Sequence, residues 1–281
     1  MDVRRPDLNS YPAGRWRRTS ASCLRPGAET NGPGVCDDLG MSEPTGALQA
    51  LRASTADLLQ GLEESGWADD DLAAASLCAG WTRGHVLTHL ARNADGIAGT
   101  LAGALRGEVV ARYPDGWDGR NAAIDEGAAR PFGVIATDVR QSAERLDRVL
   151  GAVRDAGAWD APTDDGSSAR DWAPRRLREV EIHRVDLDGG YSPRRWPPLL
   201  VADLLPRAAE TLADRAAVAV RVTVIADGSL VAEHVGRTWT AGAGDAVEVS
   251  GPDWAVLAWL VGRGRAAGDA ITATPELGPW R

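Results

Sequence analysis

The sequence predicts two domains, an antiparallel four-helix bundle followed by a small α+β domain with an antiparallel sheet. Three observations carry this. Four long segments before residue 190 place apolar residues at helical spacing. The composition then shifts at Gly189-Gly190-Tyr191-Ser192-Pro193 and Pro197-Pro198, and beyond it β-branched residues alternate with polar ones. The 281 residues also suit two domains at about 150 residues each. The expected division is 41–190 for the helical domain and 196–281 for the second.

Residues 1–40 are rich in Arg, Pro, Gly and Ser without apolar periodicity, and read as a disordered tail or as sequence upstream of a true start at Met41. Leu48, Leu51, Leu58, Leu59 and Leu62 mark a first helix, closed by the turn-forming Trp67-Ala68-Asp69-Asp70-Asp71. Cys78-Ala79-Gly80-Trp81 is a loop. Thr82 is an N-cap, and Val86, Leu87, Leu90, Ile97 and Leu101 carry a second helix. Residues 112–130, rich in Gly and charge, read as a connection. Ile135, Val139, Leu146 and Leu150 mark a third helix over 132–153. A polar loop leads to Pro174, suited to a helix first turn, and a fourth helix runs to about Asp188. Each helix must bury its apolar stripe against a neighbour, which makes a bundle the natural solution. In the second domain a helix over 199–214 precedes strands at 218–225, 230–235 and 246–250. Pro252 then opens a last helix that ends at Gly262-Arg263-Gly264.

Bulk properties exclude several functions. The net charge of −9 repels nucleic acid and anionic membranes, so neither is an expected partner. All basic residues are Arg, a bias that weakens arguments from Arg counts. Cys23, Cys36 and Cys78 are an odd number without disulfide-framework or zinc-ribbon spacing. No run approaches the roughly 20 apolar residues of a transmembrane helix, and Arg4-Arg5 and Arg17-Arg18 lack the apolar stretch of a signal peptide. A cytoplasmic protein, expected to be monomeric, fits these features.

Three of the four histidines fall in two helical motifs. His85 and His89 are four apart in the second helix, and Glu179 and His183 are four apart in the fourth. Residues four apart share a helix face, so each pair can present its donors to one point. If these helices face each other, one or two histidines from the first and Glu179 with His183 from the second make a three-ligand metal site. Such a donor set suits zinc and leaves a position open for chemistry. Spacing does not decide between His85 and His89. Glu181 and Asp186 flank the site as candidates for supporting roles. His234 reads as a surface strand histidine, Cys78 as a small buried hydrophobe, and Gly262-Arg263-Gly264 as a helix C-terminus with a glycine cap.

Gly80-Trp81-Thr82-Arg83-x-His85-x-x-x-His89-x-Ala91-x-Asn93, followed by Arg178-Glu179-Val180-x-Ile182-His183-x-Val185-Asp186-Leu187, resembles the mycothiol-dependent maleylpyruvate isomerase family of DinB-like metalloenzymes. The resemblance extends from Met41 to Arg281. It implies a metal, usually zinc, held by His89, Glu179 and His183, which selects His89 over His85. It also implies a functional arginine at Arg263, holding an anion of substrate or thiol cofactor over the metal.

The implied activity converts maleylpyruvate, a dicarboxylic keto acid, to fumarylpyruvate with mycothiol, a low-molecular-weight thiol, as cofactor. A carbon–carbon double bond does not rotate freely. Reversible thiolate addition makes it single, rotation follows, and elimination returns the thiol. Zinc supplies the thiolate, since a coordinating thiol is deprotonated. Two alternatives keep the same motifs: a mycothiol S-transferase acting on another electrophile, and a non-catalytic binding protein braced by zinc.

Overall fold

The computed structural model describes residues 44–280; the expectation of a disordered tail or extension at 1–40 lies outside the described residues. The protein is helix-rich, with a small three-stranded mixed sheet in its C-terminal part. Four long helices dominate the first part: α1 (Pro44–Glu64), α2 (Arg83–Leu105), α4 (Phe132–Asp155) and α5 (Trp172–Asp186). Each buries the apolar stripe that its spacing announced. Leu48, Leu51, Leu58 and Leu62 of α1 pack with α5, and Leu87, Leu90, Ile97 and Leu101 of α2 pack chiefly with α4.

Residues 112–130 are not simply a connection, because Gly116–Gly127 form a further helix, α3. It is short and holds three glycines, and only Ile124 and Gly127 are buried, so it lacks the apolar stripe that would reveal it.

The start of α2 is fixed twice. Thr82 Oγ1 accepts the His85 backbone N–H, while the Thr82 N–H donates to His85 Nδ1 at 3.2 Å, a capping box with His85 in the usual Glu position. Gly84 then lets α2 lie against the end of α3. A Cβ at this position would collide with the carbonyl oxygen of Ala128. Helix α5 begins after a turn in which Ser168 N–H and Oγ both donate to Asp171 Oδ2, at 2.9 and 3.0 Å.

In the C-terminal part, α6 (Pro198–Glu210) and the short α7 (Leu212–Arg215) replace the single helix expected over 199–214. Strand β1 (Val220–Val224) lies between β2 (Thr238–Ala241) and β3 (Val247–Gly251). It pairs antiparallel with β2 and parallel with β3, which corrects the expected antiparallel sheet. The Gly-rich link after β2 carries the chain past β1 to its far edge instead of closing a hairpin. The strand expected at 230–235 is a 3-10 turn, Ala232–His234, and His234 is buried, not a surface residue. The reason is Asp253, whose two carboxylate oxygens accept the N–H groups of Leu230 and Val231 at 2.8 and 2.7 Å and so take the donors a strand would have used.

Helix α8 (Asp253–Leu260) is buried along its whole length. Its end is a Schellman motif: Gly262 has φ 81°, its N–H bonds to Trp259 O at 2.9 Å, and the Arg263 N–H bonds to Ala258 O at 2.6 Å. One apolar core runs without a break from Ala47 in α1 to Ile271 near the C-terminus. Among the described residues no helix is long and apolar enough to cross a membrane.

Candidate metal centre

Helices α2 and α5 bring the two motifs face to face. His89 Nε2 is 3.0 Å from Glu179 Oε2, and His183 Nε2 is 3.4 Å from the same oxygen. The ligand-type atoms of His89, Glu179 and His183 all lie within 4.8 Å of one another. Both histidines are buried and Glu179 is nearly so. His85 points elsewhere. It caps Thr82, with its Nε2 3.5 Å from Asp125 Oδ1 on α3. Trp81 walls the site, its ring centroid 5.4 Å from that of His89 and 6.4 Å from that of His183.

Asp186 lies behind His183. It is fully buried, and its Oδ2 accepts from His183 Nδ1 at 2.8 Å. That bond fixes the ring with Nε2 turned toward Glu179, the orientation found behind metal-binding histidines. The Schellman turn aims Arg263 at the same carboxylate, with Nε on Oδ1 at 2.9 Å and Nη2 on Oδ2 at 2.6 Å. Cys78 joins them, its thiol 3.0 Å from Asp186 Oδ2 and 3.5 Å from Arg263 Nη2. Cys78 packs against the apolar core as expected of a small hydrophobe, though only half-buried, and its thiol is also a polar partner in this cluster. Glu181 turns away, accepting from the Tyr191 hydroxyl at 2.5 Å.

The opposite side of His89 is held by α3. Arg120 Nη2 donates to His89 Nδ1 at 2.7 Å. The guanidinium lies against Tyr113 and Trp117, 5.7 and 5.5 Å from their ring centroids. Sequence reasoning missed Arg120 because α3 looked like a loop; the only signal was the Trp117-x-x-Arg120 spacing, one helical turn.

The electrostatics are strongly polarised. Burial lowers the His89 pKa to about 3, with the His183 and Arg120 charges adding to the effect, so the ring is neutral. Burial also disfavours charge on His183, but hydrogen bonds to Asp186, Cys78 and Glu179 outweigh it and hold the pKa well above the ordinary value. Burial pushes the Glu179 carboxyl up, yet hydrogen bonds from His183 and His89 keep it well below the usual range. Asp186 is depressed in the same way by His183 and Arg263, against the pull of burial. Two imidazoles around an ionised carboxylate are a donor set that can take a divalent cation in place of a proton.

The family model of the mycothiol maleylpyruvate isomerase N-terminal domain matches residues 48–188. Crystal structures of a mycothiol-dependent maleylpyruvate isomerase and of a histidine mutant of that enzyme are each 24% identical to this chain, with a TM-score of 0.70. The likeness covers 84% of this chain and 97% of theirs, and at this identity it is a likeness of fold. No curated protein matches the chain. The matched segment is half of the chain and holds every residue of the His89, Glu179 and His183 cluster, so the chain belongs to the mycothiol maleylpyruvate isomerase N-terminal domain family.

Proposed function

We propose that the protein is a cytoplasmic, metal- and mycothiol-dependent cis-trans isomerase of maleylpyruvate or a closely similar cis-alkene keto acid. The observation that carries this reading is the convergence of His89, Glu179 and His183, which among the described residues bring three ligand-type atoms together, with Cys78 and Asp186 grouped on the other ring nitrogen of His183. A structural zinc site would take four protein ligands, whereas three leave a position for an exogenous thiol. In this reading residues 41–190 form an antiparallel four-helix bundle that binds the metal, and residues 196–281 form a domain that closes the site from one side.

The residues fit a metal in their chemistry. Asp186 holds one His183 proton on Nδ1, Glu179 is ionised, and a metal would take the place of the second proton, on His183 Nε2. His89 requires one change, a proton shift from Nε2 to Nδ1, where Arg120 now donates. His89, Glu179 and His183 are thus the proposed ligands, and zinc there would lower the pKa of a bound thiol so that it is a thiolate at neutral pH. Trp81 excludes water from one face of the site, which strengthens the electrostatic interactions within it. Arg263 is proposed to act through Asp186, fixing the carboxylate that orients His183.

The test is conversion of maleylpyruvate by the zinc-loaded protein with and without mycothiol, alongside His89→Ala and Glu179→Gln. Thiol-dependent turnover that disappears with bound zinc in both variants is expected. Turnover without thiol, or full activity in a metal-free variant, would overturn the reading. Conjugation of mycothiol to another electrophile without isomerisation would make the protein a transferase.

A further inference from the structure

We propose that Arg120, on α3, is the cation that holds an anionic group of the substrate at this centre. The inference rests on the isomerase reading for the substrate class, a dicarboxylic keto acid, and on the geometry for the residue.

A chain of net charge −9 repels a dianion at long range, so a site for one needs local positive charge. Among the described residues Arg176, buried and held by Asn93 Oδ1, lies within electrostatic reach of Glu179, and two further arginines hydrogen-bond to the cluster itself. Arg263 is paired through two hydrogen bonds with the fully buried Asp186, so its charge is neutralised in place, on the far side of His183 from Glu179. Arg120 differs on each count. Its hydrogen bonds go to neutral acceptors, His89 Nδ1 and Asn121 Oδ1, and its Nε is buried with no partner. A guanidinium presents paired donors that match a carboxylate edge to edge. The aromatic rings of Tyr113 and Trp117 flank Arg120 without neutralising it.

The bond to His89 makes this charge conditional. Arg120 can donate to Nδ1 only while the ring proton is on Nε2. Were Nε2 to serve as a ligand, the proton would sit on Nδ1 facing the guanidinium, which would then be released to another acceptor in the site. A substrate carboxylate is such an acceptor, and in a developing enolate the same cation stabilises the added charge.

The test needs no turnover. Maleate, a cis-dicarboxylate, is titrated calorimetrically into zinc-loaded wild type, Arg120→Gln and Arg120→Lys in the absence of thiol, with zinc stoichiometry and thermal unfolding measured on each. Arg120→Gln is expected to weaken maleate binding by about tenfold or more, with zinc content unchanged, and Arg120→Lys to fall between. The isomerase assay on the same proteins is expected to show the loss mainly in KM. Equal maleate affinity in wild type and Arg120→Gln, or no maleate binding by wild type, overturns the assignment. Should Arg120→Gln fail to fold, Arg120→Lys decides alone: affinity equal to wild type together with a wild-type KM overturns it. Wild type that binds maleate in an Arg120-dependent manner but does not isomerise maleylpyruvate refutes the isomerase reading and leaves the anion site standing.

Discussion

Arg263 donates to both oxygens of Asp186, at 2.9 and 2.6 Å, across 77 residues of sequence. The same carboxylate orients His183. Asp186→Asn is therefore expected to cost stability by about 3 to 5 kcal/mol, because it breaks a largely buried ion pair. It should also weaken zinc binding by about 10- to 100-fold through the loosened His183 ring. Denaturant unfolding and zinc titration check the two effects separately.

Zinc is expected to raise the thermal unfolding midpoint of the wild type, since a ligand bound only by the folded state stabilises it in proportion to the logarithm of its concentration. Glu179→Gln removes a charged donor and should abolish most of this response. Calorimetric scans with zinc and with a chelator, on both proteins, make the comparison. An unchanged response in Glu179→Gln would remove that residue from the ligand set.

Gly84→Ala should destabilise the fold by about 1 to 3 kcal/mol, because backbone cannot yield as a side-chain tip can. The added methyl meets the Ala128 carbonyl and pushes α2 from α3. Since Arg120 reaches His89 across this junction, the variant should also weaken maleate binding. Unfolding curves and the same titration test it.

Asp253 makes a pH prediction outside the metal centre. Burial pushes its carboxyl up, but the nearby His234 ring, 3.8 Å away, and the N–H groups of Leu230, Val231 and Trp254 together hold it below the usual value. A group depressed on folding contributes stability in full above its unfolded pKa, about 3.9, and loses it as pH falls through the folded value. Wild type should therefore lose stability steeply below about pH 4. Asp253→Asn should be less stable at pH 6 and show a shallower acid limb. Urea midpoints between pH 6 and pH 2.5 measure both.

The long helices were legible because burial follows periodicity. Leu48 to Leu62 and Leu87 to Leu101 face inward as their spacing requires. Helical spacing also paired Glu179 with His183 and His85 with His89, but it left His85 and His89 as alternatives, and the family resemblance singled out His89. What escaped depends on contacts between distant segments. Gly116–Gly127 gives no stripe to read, so Arg120 stayed hidden. Val231 and Val235 alternate like strand residues, yet Asp253, which comes later in the chain, claims the donors of Leu230 and Val231. The parallel pairing of β1 with β3 reflects which edge of β1 each strand occupies, and alternation carries no information on that. Cys78 is flanked by small and apolar residues, and only the fold reveals Asp186 and Arg263 beside it.

The Schellman turn at Gly262 has a further consequence for how this protein can be divided. Homology is drawn over residues 48–188, but the guanidinium that balances Asp186 is delivered from beyond that span. A fragment cut at the homology boundary would keep all three candidate ligands and lose the charge that steadies one of them. Expressed alone it should behave as a poor copy of the metal centre, and the two parts should be engineered, transplanted and inherited together.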